Sequence, residues 1–353
     1  MKNSGTTHLI GSVPLKSVEQ VFKTCSDEIG EYLFTLPDGE VGERIDYNSI
    51  LAYRLYHEHP DIETIATPTV VSGKPEWWHV WGLYEQAWLI RLKDKVKNLK
   101  FETTHYSDAA ISSYKIFNKM KSNGQLPEHL RFQVSIPPTL SSMGWFFFDS
   151  DDFELVYIAY QKLLLDQLEK ILSFIPSNQL AIQWDGCWEI LDIEKALPWA
   201  PLVDPWIRLA RQTYVLSKDI PKDVMLGYHF CYGDIAHSHS FQPSDLSVAV
   251  EMTNFVIQNS GRRVDWVHFP IPINRNDLKF YEPLVGIKST ETKIYLGLIH
   301  LSDGIKGAKS RIKKAKKFLT NFGIASECGF GRRKPEQIID LLHLHRIVAE
   351  HIS

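Results

Sequence analysis

The chain has 353 residues, 44% of them hydrophobic and 23% charged, with a formal net charge of -3 at pH 7. These values describe a globular chain with ample core. They exclude the basic footprint of a nucleic-acid binder, and no run of 18 apolar residues offers a membrane span.

The four cysteines, Cys25, Cys187, Cys231 and Cys328, are too scattered for a disulfide scaffold. Met1-Lys2-Asn3-Ser4-Gly5 lacks the apolar run of a signal peptide, so a cytoplasmic location is expected.

The first predicted strand covers 8–14 and ends in a tight turn, with Ser17 a candidate cap for the helix after it. A second strand at 32–36 runs into Pro37-Asp38-Gly39-Glu40-Val41-Gly42-Glu43-Arg44, a turn dense in charge. An excursion of roughly 45–105 follows. It contains Trp77, Trp78, His79, Trp81, Tyr84 and Trp88, an aromatic density suited to packing or to roofing a pocket.

A helix at 106–123 leads to a third strand, 131–136, stopped by Pro137-Pro138. Helical spacing covers 153–174, and 180–185 is the fourth strand, with Glu189 in the loop beyond. A helix near 202–217 precedes the fifth strand, 225–231. Ser244 is positioned to cap a helix reaching 258, and the sixth strand spans 264–269. The seventh, 293–299, delivers His300. A lysine-rich helix at 308–320 precedes the eighth strand, 323–328, and a helix over 335–350 follows.

Eight apolar strands, most followed by a helix, predict a single (β/α)8 barrel over 1–353, with 45–105 inserted above the site. In that architecture the polar residues at strand C-termini are the site candidates. They are Ser12, Glu40, Asp185, His229, Cys231, His268, His300 and Cys328.

Residues two apart on a strand share a face, so the His229 imidazole and the Cys231 thiol point together. Both suit zinc, and Cys328 adds a third soft donor. Asp234, His237 and His239, in the loop after Cys231, are further candidate ligands or supports for ligands, or simply a solvated loop. Asp185 and Glu40 fit a clamp on an ammonium group. Cys25 and Cys187 read as non-ligands, and the basic run 306–317 as a solvated helix face.

In order along the chain, these segments resemble the C-terminal barrel of the cobalamin-independent methionine synthases, in the superfamily that also holds uroporphyrinogen decarboxylase. Ile10-Gly11-Ser12-Val13-Pro14 is similar to the family's first-strand motif, which contacts the amino-acid substrate. Gly39-Glu40 with Glu43-Arg44 resembles its Gly-Glu and Glu-Arg segment, with an extra residue between. Gln183-Trp184-Asp185 resembles the motif whose aspartate holds the substrate amino group. His229-Phe230-Cys231 and Glu327-Cys328-Gly329-Phe330 resemble its zinc-ligand segments, and Leu298-Ile299-His300 the segment of its proton-donating histidine.

The resemblance implies zinc-dependent methyl or alkyl transfer to a small-molecule thiol. His229, Cys231, His268 and Cys328 would hold the metal, Ser12, Glu40 and Asp185 the substrate, and His300 and Asp185 would be the catalytic pair. His268 stands where the family has a glutamate ligand, which would make the site Cys2His2, formally neutral with Zn2+. Nothing here matches the family's N-terminal barrel, so the donor stays open, including delivery by a methyl-donor protein. Two alternatives stand beside this reading. One is a metal-free decarboxylase-like enzyme using Asp185 with Arg332 and Arg333. The other is a non-catalytic metal-binding barrel. No nucleic-acid or membrane partner is expected.

Overall fold

The computed structural model describes residues 4–67, 88–144, 146–147, 150–197, 203–233, 239 and 241–352. Its strands are β1 (Thr35–Pro37), β2 (Ile62–Ala66), β3 (Leu89–Leu92), β4 (Arg131–Ile136), β5 (Leu180–Gly186), β6 (Met225–Phe230), β7 (Trp266–Pro270), β8 (Lys293–Ile299) and β9 (Gly323–Ser326). Seven of them form a curled parallel sheet in the order β1-β4-β5-β6-β7-β8-β9. Spatial neighbours are thus chain neighbours once the β2–β3 pair is set aside. That pair is antiparallel and belongs to the 45–105 excursion.

Helices cross between the strands: α1 (Val18–Ile29), α2 (Tyr47–Ile50), α3 (Tyr106–Ser122), α4 (Thr139–Met143), α5 (Ser150–Phe174), α6 (Trp188–Ile193), α7 (Pro205–Ser217), α8 (Ser247–Asn259), α9 (Gly304–Ala315) and α10 (Ile338–Ile352). Ser17 caps α1 as expected, its hydroxyl accepting the Gln20 amide. Val21, Phe22, Cys25 and Ile29 lie on the buried side of that helix, so Cys25 is core. Ser244 does not cap α8. The helix begins three residues later, and the Asp245 carboxylate accepts the Ser247 amide instead. No helix among the described residues is long and apolar enough to cross a membrane.

Alternation along the strands separates two environments. Leu180, Ile182, Trp184, Leu226, Tyr228, Phe230, Val267 and Phe269 join the main core under the helices. On the other face, Ala181, Trp266 and Tyr295 form a small separate cluster with Met225. Gly227 is required there, because a Cβ at that position would lie 1.9 Å from Trp266 Cε2. The indole fills the space that the glycine leaves.

Residues 8–14 are not a ladder strand, contrary to the sequence expectation. The segment touches both edges of the sheet through single bridges, Thr7 to Ile324 and Ser12 to Gly39. The Leu9 and Ile10 carbonyls are taken by side chains instead of a neighbouring backbone. Gln133 Nε2 donates to the Leu9 and Ile10 oxygens at 3.1 and 2.8 Å, and Gln183 Nε2 donates to Ile10 O at 2.6 Å. Buried amide side chains thereby satisfy backbone groups that a strand ladder would otherwise satisfy.

Candidate metal centre

The C-terminal ends of the strands converge on one region. Register aligns Asp185 with His229 and His229 with His268 on β5, β6 and β7. Cys231 follows β6 directly, and Cys328 lies two residues past β9. The structure brings His229, Cys231 and Cys328 together, with one donor atom of each within 4.8 Å of the others. The two sulfurs are 3.7 Å apart, and Cys328 Sγ is 3.9 Å from His229 Nε2.

These spacings can be tested against zinc. Bonds of about 2.3 Å to sulfur and about 2.0–2.1 Å to nitrogen, at tetrahedral angles, separate two sulfurs by about 3.8 Å and sulfur from nitrogen by about 3.6 Å. The donor set therefore fits in chemistry, and the two distances from Cys328 fit in spacing. His229 is buried, and burial followed by the influence of His8 lowers its pKa to about 3, so the ring is neutral as a ligand must be.

His268 lies outside this group. It is fully buried, with Nδ1 2.7 Å from His229 Nδ1 and Nε2 3.0 Å from the Ser326 carbonyl oxygen. Both ring nitrogens already have partners. Of the rival ligands, Asp234 and His237 lie outside the described residues. His239 is half-buried beside Tyr232, their ring centroids 5.9 Å apart. Cys187 is half-buried ahead of α6 and is not among the three clustered donors.

Beneath the cluster, His8 Nε2 donates to Gln183 Oε1 at 2.7 Å, an oxygen that also accepts the Trp266 indole N–H at 3.1 Å. Gln183 Nε2 also donates to Asp185 Oδ1 at 2.8 Å. Burial raises the half-buried Asp185 carboxyl to about 7, against the opposing pull of that hydrogen bond. The Glu40 carboxyl is raised well above the usual range by burial, then by the charges of Asp185 and Asp38, with Arg44 and Arg332 opposing. Two carboxyls that are both raised, one of them by the other's charge, gain from a cation between them.

Glu40 has a φ of 51°, a left-handed conformation uncommon for a residue with a side chain. Asp38 braces it by accepting the Glu40 amide at 2.9 Å, and it also accepts from Arg44 at 2.9 Å and Ser113 at 2.6 Å. Asp38, Glu40 and Arg44 line a cavity with Gly11 and Ser135.

Ser12 sits against the turn after Cys328, its hydroxyl accepting the Gly331 amide. His300 is buried, with Nε2 donating to Ile271 O at 2.8 Å and Nδ1 3.3 Å from Glu327 Oε2. Burial, then Arg311, lowers its pKa to about 4. Glu327 also accepts from Arg333 at 2.9 Å.

Sequence reasoning missed His8, Gln183 as a hub, and Tyr47. Burial raises the Tyr47 phenol well above its usual range, as do the charges of Asp185, Cys187, Glu40 and Cys231, which places it beside both the clamp and the metal donors. The period-two pattern back from Ile10 is a signal that could have found His8. Tyr47, on a one-turn helix, carries no comparable sign.

No protein-family model matches this chain, and no curated relative matches it. Among solved structures, a B12-independent methionine synthase from Shewanella sp. W3-18-1, in complex with selenomethionine, aligns with a TM-score of 0.64 at 12% identity. That match covers 99% of this chain and 97% of the other. A putative vitamin-B12 independent methionine synthase from Listeria monocytogenes aligns with a TM-score of 0.54 at 15% identity, covering 95% and 87%. At such identities the likeness is one of fold, and it extends along nearly the whole chain: the structural neighbours are B12-independent methionine synthases, as the sequence resemblance implies.

Proposed function

We propose that this chain is a zinc-dependent enzyme that transfers a methyl or related alkyl group to a substrate thiol, on a single-domain (β/α)8 barrel that closes through residues 7–12. The observation that carries the reading is the His229, Cys231, Cys328 cluster at zinc-compatible spacing, beside two carboxyls with raised pKa values. His229, Cys231 and Cys328 would hold the ion. Bound there, zinc supplies a Lewis acid that favours the thiolate form of a thiol.

The chain's own residues do the rest. Asp185 and Glu40 grip an ammonium group, which makes an amino-acid thiol the fitting acceptor. The Shewanella neighbour binds selenomethionine, an amino acid in which selenium stands in for sulfur. In the transfer, the substrate sulfur bonds to the alkyl carbon as that carbon's bond to its carrier breaks. The carrier leaves with the electron pair and takes a proton. His300 and Glu327 are the proposed place to keep that proton, at the Nδ1 to Oε2 contact of 3.3 Å. The 45–105 segment, placed after β1, is proposed to cover this end of the barrel.

The decarboxylase-like alternative needs arginines aimed at substrate. Arg333 is bonded to Glu327, which weighs against it.

The test is elemental analysis of the purified protein beside Cys231→Ser and Cys328→Ser. About one zinc per chain is expected in the parent, lost from both variants. A parent that takes up no zinc under reducing conditions overturns the reading. So does a zinc-loaded parent that alkylates no amino-acid thiol with any methyl donor supplied.

A further inference from the structure

The backbone oxygen of Ser326 can only accept a hydrogen bond, and His268 Nε2 lies 3.0 Å from it. Nε2 therefore carries a proton. The ring is fully buried, and the partners of its two nitrogens, a carbonyl oxygen and an imidazole, carry no negative charge to support a second proton, so it holds one only. Its Nδ1 is consequently a lone pair. The atom 2.7 Å from that lone pair is His229 Nδ1, which must then be the donor. One proton remains on the His229 ring and it is spent on His268. The nitrogen left with a lone pair is His229 Nε2, the one that faces Cys328 Sγ.

From this chain of hydrogen bonds we infer that His268 is a positioning residue that fixes the tautomer and aim of His229, not a fourth metal ligand, so that the protein supplies three donors and leaves the fourth position to substrate. The inference rests on the zinc reading above and deepens it. Four arguments carry it. His268 has no unused nitrogen. Turning it toward the cluster would strand the buried Ser326 oxygen and the His229 N–H at once. A site with an open position suits chemistry, whereas a fourth protein ligand would close it. Two thiolates and one neutral imidazole also balance the ion's charge, so an arriving thiolate makes the assembly singly negative, which preserves its nucleophilicity.

The test uses the zinc-loaded full chain with His268→Gln and His268→Leu. Glutamine can donate to Ser326 and accept from His229 as the imidazole does, whereas leucine can do neither. X-ray absorption at the zinc edge is expected to count two sulfurs and one imidazole in the parent and in both variants. Zinc affinity by chelator competition is expected to be near parental in His268→Gln and lower by about 10–100-fold in His268→Leu. Nitrogen NMR of the zinc-loaded parent should place the His229 proton on Nδ1. A second imidazole in the parent spectrum, lost in both variants, overturns this inference while leaving the zinc reading intact. A parent that binds no zinc overturns both.

Discussion

The Ser12 hydroxyl accepts the Gly331 amide at 3.1 Å, across 319 positions of sequence. The backbone oxygen of Ser12 also accepts the Phe330 amide at 2.7 Å, so one residue fastens the turn that carries Cys328. Ser12→Ala is expected to cost about 1 kcal/mol in urea unfolding, with weaker zinc retention in chelator competition. Unchanged stability and retention with a raised KM would assign the hydroxyl to substrate alone.

Asp185 should link pH to both stability and binding of the proposed acceptor. Its carboxyl titrates near 7 in the folded chain, and near 3.9 when unfolded. Between those values the folded state holds the extra proton, so this group's contribution to stability falls as pH rises from about 4 to about 7, then levels. A neutral carboxyl cannot pair with ammonium, so acceptor affinity should rise through pH 7. Titration calorimetry across pH 6–8 checks this, and Asp185→Asn should remove the dependence. A parent profile flat across that range would exclude the clamp.

Acid stability follows the opposite sign. His8 and His345 are buried, and burial lowers both to about 4. The unfolded rings protonate near 6.5, so the unfolded state binds more protons between the two values. Stability is therefore lost as pH falls from 6.5 to about 4, by about 3 kcal/mol per ring at most. Urea midpoints measured across that window should fall steeply, and less so in His345→Gln.

Asp38 supports Glu40 from behind. Asp38→Ala should destabilise by about 1–3 kcal/mol, since Ser113 and Arg44 lose an acceptor. It should also raise KM for the acceptor more than it lowers kcat, because the strained turn at Glu40 loses its brace. Asp38→Asn keeps an oxygen for the Glu40 amide and should lie between the two. Equal losses in kcat and KM across both variants would argue for a different role.

Gly227→Ala tests the inner face. Its new methyl would collide with Trp266, whose indole also bonds Gln183, so a loss of about 1–3 kcal/mol is expected in chemical denaturation. A neutral substitution would mean that the indole has room to move.

Much of this was legible because burial and period agree. Residues 131–136 and 293–299 are strands at the predicted bounds, for they are apolar runs flanked by turns. The closeness of His229 and Cys231 was legible because residues two apart on an extended segment share a face, and Cys328 joins them from just past the last strand. His268 was ambiguous for a physical reason. A histidine at a strand end reads equally as ligand or support, and only the position of the Ser326 oxygen separates them. Residues 8–14 read as a strand because their side chains are buried like one, while the glutamines that replace the ladder come from 133 and 183. The cluster Trp77, Trp78, His79, Trp81 and Tyr84 falls outside the described residues, whereas Trp88 is buried.

The two sulfurs that face each other come from residues 97 positions apart, and Thr7 meets a partner 317 positions later. On a ribosome adding about 5–20 residues per second, His229 and Cys231 wait about 5–20 s for Cys328 to be made. During that interval the nascent chain presents an incomplete donor pair and an unsealed sheet. Assembly of the three side chains and joining of the sheet's edges therefore become one late event, and an ion held by all three would load only at the end of folding.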